Sequence, residues 1–328
     1  MMTDSLFIRY LQRDKLLLPP LSGYTDYPFR CILSLFHPNG ICTEMVNARA
    51  VIEQNSKTLE RIRREPGDHS KGAQLVGSNP SEMGEAARIL QENGFEYIDI
   101  NMGCTVRKVV SKGQGVALMK DEPLAEKIVA KICSLVSVPV TVKMRSGVSE
   151  SAKNAVSLAK KLEQVGVSAI TIHGRSGQMK FGKHVDYQII KEVVDAVDLP
   201  VVANGGVDGD TYLDILKCTG AAAVMPGRSI IGNPWIIDRI RKSHTQMNYH
   251  PPPLSEKKDI VRNHLNVQCQ FYGEYTGVRR FRTILPKYFR FCQNLNELKA
   301  EVTKMNDSFD VLRLLERIQL CDGQSSFQ

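Results

Sequence analysis

Short apolar runs alternate with longer stretches of helical periodicity along most of the chain. The runs fall at residues 16–18, 41–45, 73–77, 97–100, 140–145, 169–174, 201–206 and 221–225. They are continuous rather than alternating, as expected of strands buried on both faces of a parallel sheet. Between them the pattern predicts helices over 26–36, 48–62, 79–94, 121–136, 151–165 and 187–197, one ending near Gly220, and one through Trp235 and Ile240. Eight strand–helix units within roughly 230 residues predict a (β/α)8 TIM barrel. A doubly wound open sheet is the alternative, and it is disfavoured because no G-x-G-x-x-G follows the first strand.

The pattern changes after Ser243. Pro251, Pro252 and Pro253 form a stiff break, which reads as a linker. Beyond it the periodicity is helical over 256–271, 278–292, 295–304 and 309–320, with a frayed tail at 324–326. The expected organisation is a catalytic barrel over 1–244 and a smaller all-helical domain over 245–328.

Composition adds little to the fold but narrows the partners. The 328 residues are 42% hydrophobic, ordinary for a globular protein, and carry a net charge of +8. That excess favours a polyanion such as nucleic acid. The eight cysteines are scattered and form no C-x-x-C pair, so neither a metal site nor a disulfide framework is expected, and a reducing compartment is. The N-terminus has no secretory pattern and no segment has the length of a membrane span. A cytoplasmic monomer away from membranes is the expectation.

Polar residues gather where the chemistry of a barrel is built, at the C-terminal ends of its strands. They are Gln74, Asn101 and Cys104, Lys143 and Arg145, His173 and Arg175, Asn204-Gly205-Gly206, and Gly227-Arg228. Each alone reads as an ordinary satisfied residue. Six strands contributing one apiece to a single rim point to a site. The pairs Gly205-Gly206 and Gly227-Arg228 follow the seventh and eighth strands, the usual place for a phosphate. With Lys143, His173, Gln74 and Asn204 around it, the phosphorylated ligand that fits is a heterocycle with donors and acceptors along its edge, such as flavin mononucleotide.

The stretch 96–121 stands apart. A strand breaks at Asn101-Met102-Gly103 and presents Cys104, followed by Arg107, Lys108, Lys112, Gly113 and Gly115. A free thiol is mostly protonated near neutral pH and can donate a proton. A buried small hydrophobe is the plainer reading of a cysteine, and the charged, glycine-bearing loop argues against it here. Further on, 278–291 reads VRRFRTILPKYFRF, five cations without an acid, interleaved with aromatics. Arg279, Arg280 and Arg282 are candidate contacts to an RNA backbone. The aromatics fit a core better than a stacking platform.

Eight motifs, in order and spacing, carry a resemblance. They are PPLSGYTDYPFR at 19–30, TEMVNARA at 43–50, QLVGSNP at 74–80, DINMGC at 99–104, VKMRSG at 142–147, ITIHGR at 170–175, PVVANGG at 200–206 and VMPGRSIIGNPW at 224–235. The chain resembles the tRNA-dihydrouridine synthase (Dus) family over essentially its whole length. The resemblance implies an FMN-dependent oxidoreductase that reduces the C5=C6 bond of uridine in tRNA, with NADPH as reductant. It makes Cys104 the general acid and places Asn101, Lys143 and Arg145 at the substrate uracil and flavin edge. It places Pro19, Pro20, Leu21, Gln74, Lys143, His173, Asn204, Gly205, Gly206, Gly227 and Arg228 at the cofactor. A base within tRNA must be extruded to reach a barrel mouth, so a basic helical domain that grips the RNA follows. The chain departs from the family's usual pattern at Thr105, where proline is common after the cysteine, at Pro19-Pro20-Leu21, and at Pro226. Two other readings are a barrel flavoprotein acting on a small pyrimidine or enone, and an RNA-binding protein that has lost its chemistry.

Overall fold

The computed structural model describes residue 8 and residues 11–179, 184–245, 247–290, 292 and 295–318. The expected tail at 324–326, the end of the helix expected over 309–320, and Phe291 lie outside the described residues. Seven parallel strands form one sheet in the order Cys42–Asn47 (β1), Gly72–Val76 (β2), Tyr97–Met102 (β3), Val140–Arg145 (β4), Ala169–His173 (β7), Val201–Asn204 (β8) and Ala223–Met225 (β9). The strands Gly147–Ser149 (β5) and Ala152–Lys153 (β6) make a separate hairpin. Segment 16–18 closes the ring. Leu16 bridges Val224, the Leu17 N–H donates to the Val224 carbonyl at 3.0 Å, and the Leu18 N–H donates to Gly40 at 2.8 Å. The barrel expected from the sequence is therefore the architecture found.

Alternation on each strand divides the side chains. Ile98, Ile100, Met102, Val142, Met144, Ile170 and Ile172 are fully buried in the layer shared with the helices. Leu17, Cys42, Tyr97, Ala169, Val202 and Ala223 form a second apolar cluster. By strand period they share a face with Asp99, Asn101, Thr141, Lys143, Thr171, His173 and Asn204. The barrel interior is thus apolar at its base and polar at its top.

The helices follow their local signals where these are strong. Pro80–Glu92 starts with Asn79 accepting the Ser81 and Glu82 N–H groups at 2.9 and 3.2 Å, has Pro80 in its first turn, and buries Met83, Ala86, Ala87 and Leu90. Three sequence expectations change. The helix expected over 48–62 is two, Ala48–Ile52 and Ser56–Ile62, because Gln54 takes a left-handed conformation (φ 51°) and Asn55 caps the second. The helix expected from Ser151 begins at Ala155, after the β5–β6 hairpin. The basic helix expected over 278–292 is broken into Glu274–Phe281 and Leu285–Tyr288, with Pro286 in the first turn of the second.

The helical region shares a core with the barrel. Leu254–Tyr272 lies on Tyr27–Ser34, with Phe29 stacked on His264 at 5.5 Å and Tyr27 against Phe271 at 4.8 Å. The Tyr272 hydroxyl donates to Asp26 at 3.0 Å. Trp235 meets Phe36 and Tyr288 edge-on. Arg30 ties the same region together from within. Its buried guanidinium donates to Asp68 and to the carbonyls of Thr25, Arg61 and Arg63. This motif arginine is a structural anchor, and removing one partner of such a pair costs about 3–5 kcal/mol.

Candidate active site

Strand register assembles the rim. Gln74 lies opposite Asp99, Asp99 opposite Thr141, Asn101 opposite Lys143, Arg145 opposite His173, and His173 opposite Asn204. Above them is a cavity of about 420 Å³, within the size range of small-ligand sites. Cys104 and every residue expected at the cofactor line it: Pro19, Pro20, Leu21, Gln74, Lys143, His173, Asn204, Gly205, Gly206, Gly227 and Arg228. Asn101 and Arg145 line it too.

One wall is a chain of hydrogen bonds. The Thr141 hydroxyl and Gln74 Nε2 donate to the two oxygens of buried Asp99 at 2.7 and 2.6 Å. Asn101 Nδ2 donates to Gln74 Oε1 at 2.9 Å. Asn101 Oδ1 then accepts the Gly103 and Cys104 N–H groups at 3.1 and 2.9 Å. The Cys104 carbonyl accepts the Val116 N–H at 3.0 Å. Gly115 (φ +63°) presses on the same carbonyl, where a Cβ would come within 2.7 Å, so no other residue fits. The cysteine backbone is held on both sides although Thr105 follows it.

The opposite wall is cationic. Lys143 Nζ donates to Asn204 Oδ1 at 2.9 Å, and Asn204 Nδ2 donates to the Met225 carbonyl at 2.8 Å. Burial and the neighbouring Arg145 push the Lys143 ammonium down to about 8, against the pull of Asp99. Burial, with Lys143, Arg145, Arg175 and Arg228 nearby, pushes His173 down to about 2, so its imidazole is neutral at physiological pH. Arg145 donates to the carbonyls of Gly103 and Ser176 at 2.8 and 2.9 Å and interacts electrostatically with Cys104.

The far end suits a phosphate. Gly205 and Gly206 are both left-handed (φ +111° and +69°), and their carbonyls accept the Tyr187 and Thr211 hydroxyls. The N–H groups of Gly205, Gly206 and Gly227 have no acceptor among the described residues. The three glycines and Arg228 line the same cavity, and uncommitted amides with an arginine are a combination that can bind an anion.

The family model described as "Dihydrouridine synthase (Dus)" matches residues 17–322. The chain belongs to the dihydrouridine synthase family. It is 34% identical over 309 residues to tRNA-dihydrouridine synthase B of Vibrio vulnificus, covering 94% of this chain and 96% of that one. It is 37% identical to a probable tRNA-dihydrouridine synthase of Rickettsia conorii, covering 91% of each. Among solved structures, histamine dehydrogenase from Rhizobium sp. 4-9 aligns at a TM-score of 0.51 and 12% identity, over 77% of this chain and 48% of that one, a likeness of fold alone. Family membership makes the chain an oxidoreductase that forms dihydrouridine with a flavin cofactor.

The three arginines expected at RNA lie outside this cavity. Arg279 bonds and stacks on Tyr275, Arg280 lies over the Tyr272 ring and 3.9 Å from Asp26, and Arg282 donates to the Met305 carbonyl and Asn306. Arg279 and Arg280 remain exposed. Of the interleaved aromatics, Phe281, Tyr288 and Phe289 are buried. A second groove, of about 370 Å³, is lined by Arg282, Lys287, Arg290, Lys299, Thr283 and Thr303, with no acid. Arg290 crosses to the barrel and donates to the carbonyls of Arg228 and Ile231. Lys287 and Lys299 pair with no acid among the described residues. Burial and then Arg290, Arg228 and Lys299 hold the Lys287 ammonium below its ordinary value.

Reading the sequence missed Asp99 and Thr141, although Asp99 stands inside the DINMGC motif. A carboxylate in a continuous apolar strand, two residues before Asn101 and therefore on the same face, is the signal that could have found it. Met45, Asp208 and Ser229 also line the cavity.

Proposed function

We propose that the cavity holds FMN and that the protein reduces the C5=C6 bond of uridine in tRNA, with NADPH as reductant. The observation that supports this most is that residues chosen from seven separate motifs line one cavity. Orphan amides at Gly205, Gly206 and Gly227, with Arg228, take the FMN phosphate. Gln74, Lys143 and Asn204 bond the ring edge, and Lys143 supplies positive charge there. Once reduced by NADPH, the flavin would supply a hydride for C6 of the uracil. Cys104 gives its thiol proton to C5 and is reprotonated from solvent. Asn101 and Arg145 hold the uracil against Cys104. The family relatives are named for tRNA, and an extruded base is the form in which RNA reaches such a cavity.

The helical region, residues 245–328, grips the RNA. Arg279, Arg280 and Arg282 belong to its basic surface, and the acid-free groove with Lys287 and Lys299 gives a track for backbone phosphates. No helix among the described residues is long and apolar enough to cross a membrane, and we assign a monomer in the cytoplasm.

Purified protein should carry oxidised flavin, consume NADPH with unmodified tRNA, and leave dihydrouridine in the RNA. A flavin-loaded protein that forms none on any tRNA overturns the reading. Turnover of a free pyrimidine or enone in its place would favour a small-molecule reductase.

A further inference from the structure

We propose that Asp99 is a positioning residue: it fixes the direction of the hydrogen-bond chain that places the Cys104 backbone and aims two amide donors into the cavity. The inference rests on the reading of Cys104 as proton donor.

The chain has a forced polarity. At one end an ionised carboxylate can only accept, and at the other the Gly103 and Cys104 N–H groups can only donate. Gln74 therefore turns Nε2 to Asp99 and Oε1 to Asn101, and Asn101 turns Nδ2 to Gln74 and Oδ1 to the cysteine turn. Reversing either amide sets acceptor against acceptor at Asp99, or donor against donor at Cys104. Strand register makes the chain possible, because Asp99 faces Gln74 on one side and Thr141 on the other. The Thr141 hydroxyl occupies the second carboxylate oxygen, so Asp99 has both oxygens committed.

Each amide has two N–H bonds and spends one within the chain. Gln74 and Asn101 both line the cavity, so each retains one donor for a ligand. A ring that presents carbonyl oxygens matches this wall, and one that presents an amine does not. Asp99 thereby acts at a distance on the proton donor and on the polarity of the pocket, and it touches neither substrate nor cofactor. A rival role exists, because Asp99 also attracts Lys143. If compensating that charge were its whole function, its loss would fall on the cofactor side of the reaction.

The test separates the two half-reactions. Asp99→Leu should reduce its flavin with NADPH within about threefold of the wild-type rate, while reoxidation by unmodified tRNA slows about 100-fold, the scale of a small misplacement of a reacting group. Asp99→Asn, whose carbonyl can still accept from Gln74 while its amide donates to Thr141, should recover tRNA reduction to within about tenfold of wild type. The proposal is overturned if both half-reactions fall together, if only the NADPH step falls, or if Asp99→Leu leaves the tRNA step within twofold. Cys104→Ala runs beside these; full activity there would remove the proton-donor reading itself and is distinguishable from a failure at Asp99. Should Asp99→Leu not fold, Asp99→Val replaces it, since it too leaves Gln74 Nε2 without an acceptor. Amide hydrogen exchange across 101–106 should rise at least tenfold in that variant and stay near wild type in Asp99→Asn. Unchanged exchange in Asp99→Val overturns the proposal.

Discussion

The barrel mouth and the helical region are both rich in cations, yet they hold them differently. At the mouth, Lys143 is pinned to Asn204 and Arg145 to two carbonyls, and a chain of amides fixes Asn101 and Cys104. In the helical region Lys287 and Lys299 have no acid partner among the described residues, and their groove contains no acid at all. Chemistry at one carbon needs a fixed donor, and side chains locked by their neighbours supply it. Holding a phosphate backbone needs charge near a line of phosphates, and lysines without an acid partner supply it.

This contrast predicts a ranking of effects. The largest should come from geometry at the mouth. Gly205 is at φ +111°, and a Cβ there would meet His173 at 3.0 Å. A β-branched residue in such a conformation costs about 1–3 kcal/mol, so Gly205→Val should weaken flavin binding about 10–100-fold, measured by titrating apoprotein. Unchanged affinity would separate this turn from the phosphate.

Next is a pH effect at the same wall. Lys143 is charged below about 8 and neutral above it. Uridine reduction should therefore fall as pH rises through about 8, and Lys143→Arg should shift or remove that alkaline limb. A wild-type profile flat to pH 9.5 would take the lysine charge out of the reaction.

Smaller changes belong to the helical surface. Lys287→Ala or Lys299→Ala should each raise the KM for tRNA a few-fold and reduce the salt dependence of binding by about one phosphate contact. Flavin content should not move. A loss of flavin, or an unaltered salt slope, would erase the distinction between the two regions.

A separate effect concerns stability. Burial holds His264 down to about 3, so the folded protein keeps it neutral while the unfolded chain protonates it near 6.5. Stability from this residue is present above about 6.5 and falls with pH, by about 2 kcal/mol at pH 5. The raised carboxyls of Asp26 and Asp99, pushed by burial to about 6, act in the opposite sense between pH 6 and 4. Comparing melting of wild type and His264→Phe at pH 7 and pH 5 isolates the histidine: the variant should lose less than wild type on acidification.

The fold was legible where strands were continuous and apolar, and the site where polar residues broke those runs at their ends. Gln74, Lys143, His173 and Asn204 could be placed because strand period and barrel geometry leave their side chains few directions. The helices were less legible. Gln54 and Pro286 interrupt periodic stretches, and a moment of amphipathicity does not register one residue's φ. Asp99 could be noticed locally as a carboxylate in an apolar strand, but its role is a relation, two neighbours on adjacent strands in the right register, which no local pattern contains. The basic stretch at 278–291 was visible as charge, but which arginines are spent on Tyr275, Tyr272 and Met305 depends on tertiary contacts.

The most direct test of the account is the reaction of pre-reduced enzyme with unmodified tRNA in the absence of oxygen, in wild type and Cys104→Ala. Wild type should reoxidise its flavin and leave one dihydrouridine per flavin consumed. Cys104→Ala should bind flavin and accept electrons from NADPH normally, yet reoxidise with tRNA at least about 100-fold more slowly, the contribution expected of a positioned general acid. Equal reoxidation rates with equal product would contradict the account.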